Sequence, residues 1–494
     1  MYDWNKIRRD VENFCSEMEK EWYLNWAGLK EEMNLSPIYN KYKHLFTKKL
    51  ILAVKEKRKH AKGEEERKLR YLQQFFVSEH LGMVVKELSE KAETMESKET
   101  IKVDGEKIPF RLAAVKIANE SKREQRSKLY EARNRVIDKI NVVLLRRLEK
   151  LHETSRKLGY TNYMTLFRDI KGIDFQRLET LMRDFIAKTE SVYTTRMDKA
   201  LRKKVGVKLK DAEKHDLAFF FRAKEFDTYF KKEDAVRTLR ETLGNMGVRL
   251  EEQKNIEVDV EERPKKSPRA FCSGIKVPDE VKLVVMPKGG HDDYASLFHE
   301  AGHAEHYGCV GPDLAVEYKR LGDNSVTETF AFLLEYLLTD ENWLRQYTPL
   351  KEPNEYLDFL YLYKLYFLRR YGAKLSYELK LHTADTLEGM DEVYKETLEA
   401  VLKFKHPGNH YLTDHDDGFY CAQYLRAWIF EELLRAALKK RFGEKWFNSR
   451  EAGAFLKNLW ADGQKQDVVE LAKTLGYKDL NIKPLLSSLQ SRLS

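Results

Sequence analysis

The sequence predicts a mainly α fold with one small β insert, and three observations predict it. Apolar residues recur three and four positions apart through most of the 494 residues. Alternation with period two is confined to a hairpin near residues 101–108 and to the region 256–286. No internal repeat and no low-complexity linker interrupts the helical texture.

The elements follow in order. The first hundred residues read as long charged helices, with WNKIRRDVENFCSEMEKEWYLNWAGL placing apolar side chains on one stripe. The stretch Ile101–Ile108 then reads as a hairpin, because Asp104-Gly105 suits a two-residue turn. Helices resume from about Arg111 to Gly247. IEVDVE (Ile256–Glu261) alternates as a strand, RPKKSPR is a breaker-rich loop, and VKLVVM (Val281–Met286) is a second strand. PKGGHDD supplies a tight turn and an aspartate, Asp292 or Asp293, to cap the helix that follows. It lacks the GxxxxGK[ST] frame of a phosphate loop. Helices run from there to the end, punctuated at Thr348–Pro353 and His406–Gly408. Two regions result: 1–250, helical with the short hairpin, and 251–494, with the β insert at 256–286.

Composition excludes several classes. Lys+Arg number 89 against 80 Asp+Glu, a net +9 spread over both halves. The densest basic run, Lys55–Arg70, is interrupted by acids and reads as a solvated helical face rather than a nucleic-acid stripe. Cys15, Cys272, Cys309 and Cys421 are far apart and form no CxxC pair, which argues against a disulfide framework or a cysteine metal site. The N-terminus is charged from its third residue, and no apolar run reaches bilayer length. The expectation is a soluble, cytoplasmic chain with no nucleic-acid or membrane partner.

The chemistry is in LFHEAGHAEH, residues 297–306. His299 and His303, four apart on a helix, stand on one face and can chelate a single ion. Glu300 lies about 100° around the axis, so it cannot join them but can reach a water on the same metal. The bland reading is three polar residues that fall together on a helix surface. A catalytic zinc needs a third protein ligand, and two candidates are open. His306 is on the same stripe, although the HExxHxxGxxH frame fails because His306 stands at its glycine and Cys309 at its last histidine. Glu328 is in DNSVTETFAFLLEYLL, a segment apolar nearly all round and therefore expected to be buried. Buried carboxylates are costly unless paired or metal-bound. The competing reading of Glu328 is a capping box, Ser325-x-x-Glu328. That reading leaves Glu335 unexplained; Glu335 can instead hold a histidine ring N–H.

These residues resemble the thimet oligopeptidase and oligoendopeptidase F group of zinc metallopeptidases over roughly residues 271–335. The family's HExGHxxH is matched by His299, Glu300, Gly302, His303 and His306, its ligand glutamate by Glu328, and a following acid by Glu335. The resemblance implies one zinc per chain on His299, His303 and Glu328, with Glu300 as general base. A second family element is similar to HDDGFYCAQYLRAW, giving His415, Tyr420 and Tyr424; the third family tyrosine is replaced by Ala427. It implies that Tyr420, then Tyr424, or His415 stabilises the oxyanion. It further implies an elongated helical fold with a deep channel, residues 1–250 as wall or lid, the small β insert beside the active site, and short unstructured peptides as substrates. VKLVVM is a candidate edge strand for an extended peptide. Two alternatives stand beside this. A dipeptidyl- or carboxypeptidase would need a cation for the terminal carboxylate, such as Arg426, Arg369 or Arg370. A metal-binding protein without turnover is suggested only by Ala427.

Overall fold

The structure is a computed structural model that describes residues 2–493. It is 71% helical, with 21 α-helices and two small sheets among the described residues. The mainly α expectation holds because the apolar periodicity is used as read. In the first helix, Trp4–Trp26, the Asp3 side chain accepts from the Asn5 and Lys6 N–H groups, and Ile7, Val11, Phe14 and Met18 are buried along one stripe. No described helix is long and apolar enough to cross a membrane.

The chain forms two compact units, each drawn from three segments, so the 250/251 division does not coincide with their limits. The first unit comprises the residues up to Val77, Lys224–Leu357 and Arg426–Leu485. It holds a three-stranded sheet of β3 (Ile256–Asp259), β4 (Phe271–Lys276) and β5 (Glu280–Val284), in the order β3-β5-β4. The second unit comprises Ser78–Ala223, Asp358–Leu425 and the residues from Leu486 on. Its hairpin, β1 (Thr100–Val103) and β2 (Glu106–Pro109), pairs Ile101 with Ile108. Asp104 and Gly105 both have positive φ, 50° and 84°, as a two-residue turn of matching twist requires. Ile101 and Ile108 are buried with Phe110, Ala113, Ile117 and the apolar stripe of the long helix Arg123–Lys157.

The insert departs from the sequence expectation in three ways. β4 was not anticipated: FCSGIK does not alternate, and its pairing with β5 shifts register between Gly274 and Lys276. β5 is the central strand, paired with β3 on one side and β4 on the other, so VKLVVM offers no free edge. The edge beside the metal helix belongs to β4. Finally, the RPKKSPR loop is tied down by a buried lysine. Lys266 Nζ donates to the carbonyls of Asp259 and Glu261 and to the Asp259 carboxylate, all within 2.9 Å.

Candidate metal centre

Two helices of the first unit build the centre: the histidine helix His291–Cys309 and the glutamate helix Asn324–Glu335. The histidine helix starts at Gly290, where φ is +100° and an added Cβ would lie 2.8 Å from Asp227 Oδ1, so glycine is required. Neither Asp292 nor Asp293 caps the helix, whose N-cap is Gly290 with no side-chain hydrogen bond. Asp293 instead reaches back, its carboxylate accepting from the Lys288 and Gly289 N–H groups at 2.8 and 3.0 Å. About three turns on, Gly302 lies between the two histidines. A Cβ there would lie 2.4 Å from the Phe330 carbonyl oxygen and 2.5 Å from Ala331 Cα. The missing side chain is what lets the glutamate helix cross directly against the histidine pair.

The glutamate helix is capped by Asp323, which accepts from the Ser325 N–H at 3.0 Å and is itself held by Arg426 at 2.7 Å. Ser325 is therefore inside the helix, and the capping-box reading of Glu328 fails. Glu328 is 4% exposed and faces the histidines. Its Oε2 is 3.4 Å from His299 Nε2 and 3.8 Å from His303 Nε2. One ligand atom from each of the three residues lies within 4.8 Å of the others. His306 is elsewhere: it is fully buried, its ring against Tyr307 and Phe330, and burial pushes its pKa down to about 3. It is a neutral core histidine rather than a third ligand.

The remaining ring nitrogens are engaged. His299 Nδ1 is 2.8 Å from Glu335 Oε2, and His303 Nδ1 is 2.7 Å from the Thr327 hydroxyl. With Nδ1–H donating in each ring, a metal ion would take the place of any proton on the Nε2 atoms that face Glu328. Two imidazole nitrogens and a carboxylate oxygen form a set that zinc takes in catalytic sites. The residues fit that ion. Burial pushes the His303 pKa down to about 4 and keeps its ring neutral, as a ligand must be. Burial also opposes a charged His299, but Glu328 and Glu335 hold its pKa well above the ordinary value. Glu300 is outside the ligand group, with Oε2 accepting from the Cys272 N–H of β4 at 2.9 Å, and burial pushes its pKa up to about 7. Thr327 and the Cys272 amide had no signal in the sequence, since a hydroxyl and a main-chain N–H acquire these roles only through tertiary placement.

His415, Tyr420 and Tyr424 belong to the second unit. His415 Nδ1 donates to the Leu412 carbonyl at 3.0 Å, and Nε2 is 3.5 Å from Asp417. Tyr420 packs edge-on against Tyr424, which packs likewise against Tyr371. A second acidic and thiol group, Glu378, Asp416 and Cys421, also converges within 4.8 Å. There Lys374 Nζ lies 2.9 Å from Asp416, so a cation of the chain already compensates the carboxylates. The arginines named for a terminal carboxylate are committed as well. Arg426 pairs with Asp323, Arg369 with Glu190 at 2.5 Å, and Arg370 with Asp414. Ala427 is fully buried in the first unit.

A comparison with curated proteins gives no match. The family model of peptidase family M3 matches residues 117–491, most of the chain and all of the centre described above. The chain therefore belongs to peptidase family M3, a family of zinc-dependent metallopeptidases.

Proposed function

We propose that the chain is a zinc metalloendopeptidase of short, unstructured oligopeptides, with one zinc on His299, His303 and Glu328. The observation that carries this reading is the convergence of two Nε2 atoms on Glu328 with both Nδ1 atoms held from behind. A zinc ion there would supply Lewis acidity for the scissile carbonyl and lower the pKa of an attacking water. Glu300 takes the proton of the attacking water and passes it to the leaving amine, a role open to a carboxylate outside the ligand set. The Cys272 N–H fixes one oxygen of Glu300 and leaves the other for the proton. Cys272 points this N–H away from β5, so β4 is the strand along which an extended peptide would pair. Tyr420 first, Tyr424 second, and His415 are the donors for the growing oxyanion charge.

Two observations favour internal cleavage of short chains. The three arginines suited to a terminal carboxylate are each bound to an acid of the chain. The His299, His303 and Glu328 side chains are only 17%, 12% and 5% exposed, which favours a thin extended chain over a convex protein surface. Residues 1–250 serve as wall or lid in this reading. A digest of mixed peptides with and without a chelator, read by mass spectrometry, tests it. Internal cuts abolished by the chelator are expected; removal of terminal residues alone would make the chain an exopeptidase, and no cuts would leave it a metal-binding protein.

A further inference from the structure

The second unit contains a half-open cavity of about 360 Å³ that the peptidase centre does not use. That volume is at the lower end of the range for small-molecule sites. Its walls come from the helices Phe110–Asn119, Arg123–Lys157 and Lys214–Arg222, from Glu96 near the end of the helix Gly63–Lys98, and from the loop before His415. One side is apolar, made by Phe110, Ala114, Ile117, Ile137 and Ala218. The same lining holds two cations, Arg133 and Lys214, with unusual surroundings.

Arg133 lies over the Phe110 ring, 4.8 Å from its centroid, and its buried Nε makes no hydrogen bond. Lys214 Nζ is 2.7 Å from His410 Nδ1, and His410 Nε2 is in turn 2.9 Å from Asn134 Oδ1. Neither cation has a carboxylate within ion-pair distance among the described residues. Two acids also line the cavity. Asp414 is taken by Arg370 and by the Tyr394 hydroxyl at 2.6 Å, and Glu96 faces the pair from farther than an ion-pair contact. Burial lowers the pKa of both cations, that of Lys214 to about 8. Half-buried cations without anions are costly, and the usual resolution is a carboxylate that hydrogen-bonds to both. Here Asp414 and Glu96 act on Lys214 and Arg133 only through space, neither hydrogen-bonds to either cation, and an apolar wall lies beside the gap.

We propose that this cavity binds a small organic carboxylate carrying an apolar group, its carboxylate between Arg133 and Lys214 and its apolar body against Phe110 and Ile137. The pairing of two cations with an apolar wall favours a singly charged, amphipathic anion over inorganic phosphate, which has no use for the wall. The claim is independent of the metal centre, and its readout is binding rather than peptide cleavage.

The test is calorimetric titration of the full chain with phenylacetate, phenylacetamide and inorganic phosphate. Saturable binding of one phenylacetate per chain is expected, with neither of the other two binding comparably. Arg133→Gln and Lys214→Met, checked for folding by their melting temperatures, should each weaken it about tenfold or more, the loss of one charge-assisted hydrogen bond. Should a variant fail to fold, peptide mapping of Lys214 after trinitrobenzenesulfonate treatment of the wild-type chain takes its place. Phenylacetate, and not the amide, should then protect Lys214. Equal binding of the amide, tighter binding of phosphate, no saturable binding, or an unprotected Lys214 would overturn the proposal.

Discussion

The imidazole nitrogens that face away from Glu328 decide how the centre behaves. Glu335 on His299 and Thr327 on His303 orient the rings and set their tautomers. Glu335→Gln and Thr327→Val are therefore expected to weaken zinc binding by about 10–100-fold while leaving all three ligands in place, as measured by competition with a chromophoric chelator. Glu328→Ala removes a ligand outright, and elemental analysis should find zinc largely lost. Retention at the wild-type level would return the third-ligand role to another residue. Glu300 behaves in the opposite way. Glu300→Gln keeps its shape and the bond from Cys272 but cannot take a proton, so zinc should stay while peptide turnover falls by at least about 10²-fold. Near-wild-type turnover with zinc in place would remove Glu300 from the mechanism.

At the scale of elements, the crossing at Gly302 is the joint of the centre. An alanine there meets the backbone of Phe330 and Ala331, which cannot yield as a flexible side chain would. Gly302→Ala should cost about 1–3 kcal/mol in urea unfolding and should also lower zinc retention, since the glutamate helix must move off the histidines. In the second unit, Asp216 joins the helices Arg123–Lys157 and Lys214–Arg222 through Arg126 at 2.9 Å and Arg123 at 3.0 Å. Burial opposes its charge, but His215, Arg123 and Arg126 together hold the carboxyl well below its usual pKa. A depressed folded pKa gives stability that is present above the unfolded value of about 3.9 and is lost as pH falls through the folded one. Asp216→Asn should thus destabilise by about 3–5 kcal/mol at pH 7, as for a broken buried pair, and by clearly less at pH 3. An equal penalty at both pH values would contradict the assignment. The histidine pair, Glu300 and the hairpin turn were legible in the sequence because helical spacing and Asp-Gly chemistry are local, and Glu328 was legible as a carboxylate in an apolar helix that the family resemblance also marked. The strand β4, the capping by Asp323, the Cys272 amide and the Lys266 anchor were not, because each depends on a partner distant in the chain or on an unremarkable composition. The Ser325-x-x-Glu328 pattern misled for a related reason: local pattern offered a cap, and the stronger cap two residues earlier took the position.

For the whole molecule, membership of peptidase family M3 gives the class of reaction, and the small exposure of the three ligand side chains bears on the substrate. A quenched fluorescent nonapeptide should be cut readily, whereas a stable folded domain at the same molar concentration should be left intact. Comparable cleavage of both would mean that the reacting groups are open to a protein surface. The chain holds a second convergent group, Glu378, Asp416 and Cys421, and Lys374 beside it predicts that it takes no ion. Stoichiometry therefore tests the assignment of the ion to one group. The most direct measurement strips the chain with a chelator and titrates zinc back while following hydrolysis of the nonapeptide. Activity should vanish on stripping, rise linearly with added zinc and level off at one equivalent per chain. Activity that survives stripping, or that needs a second equivalent, would contradict a single zinc on His299, His303 and Glu328.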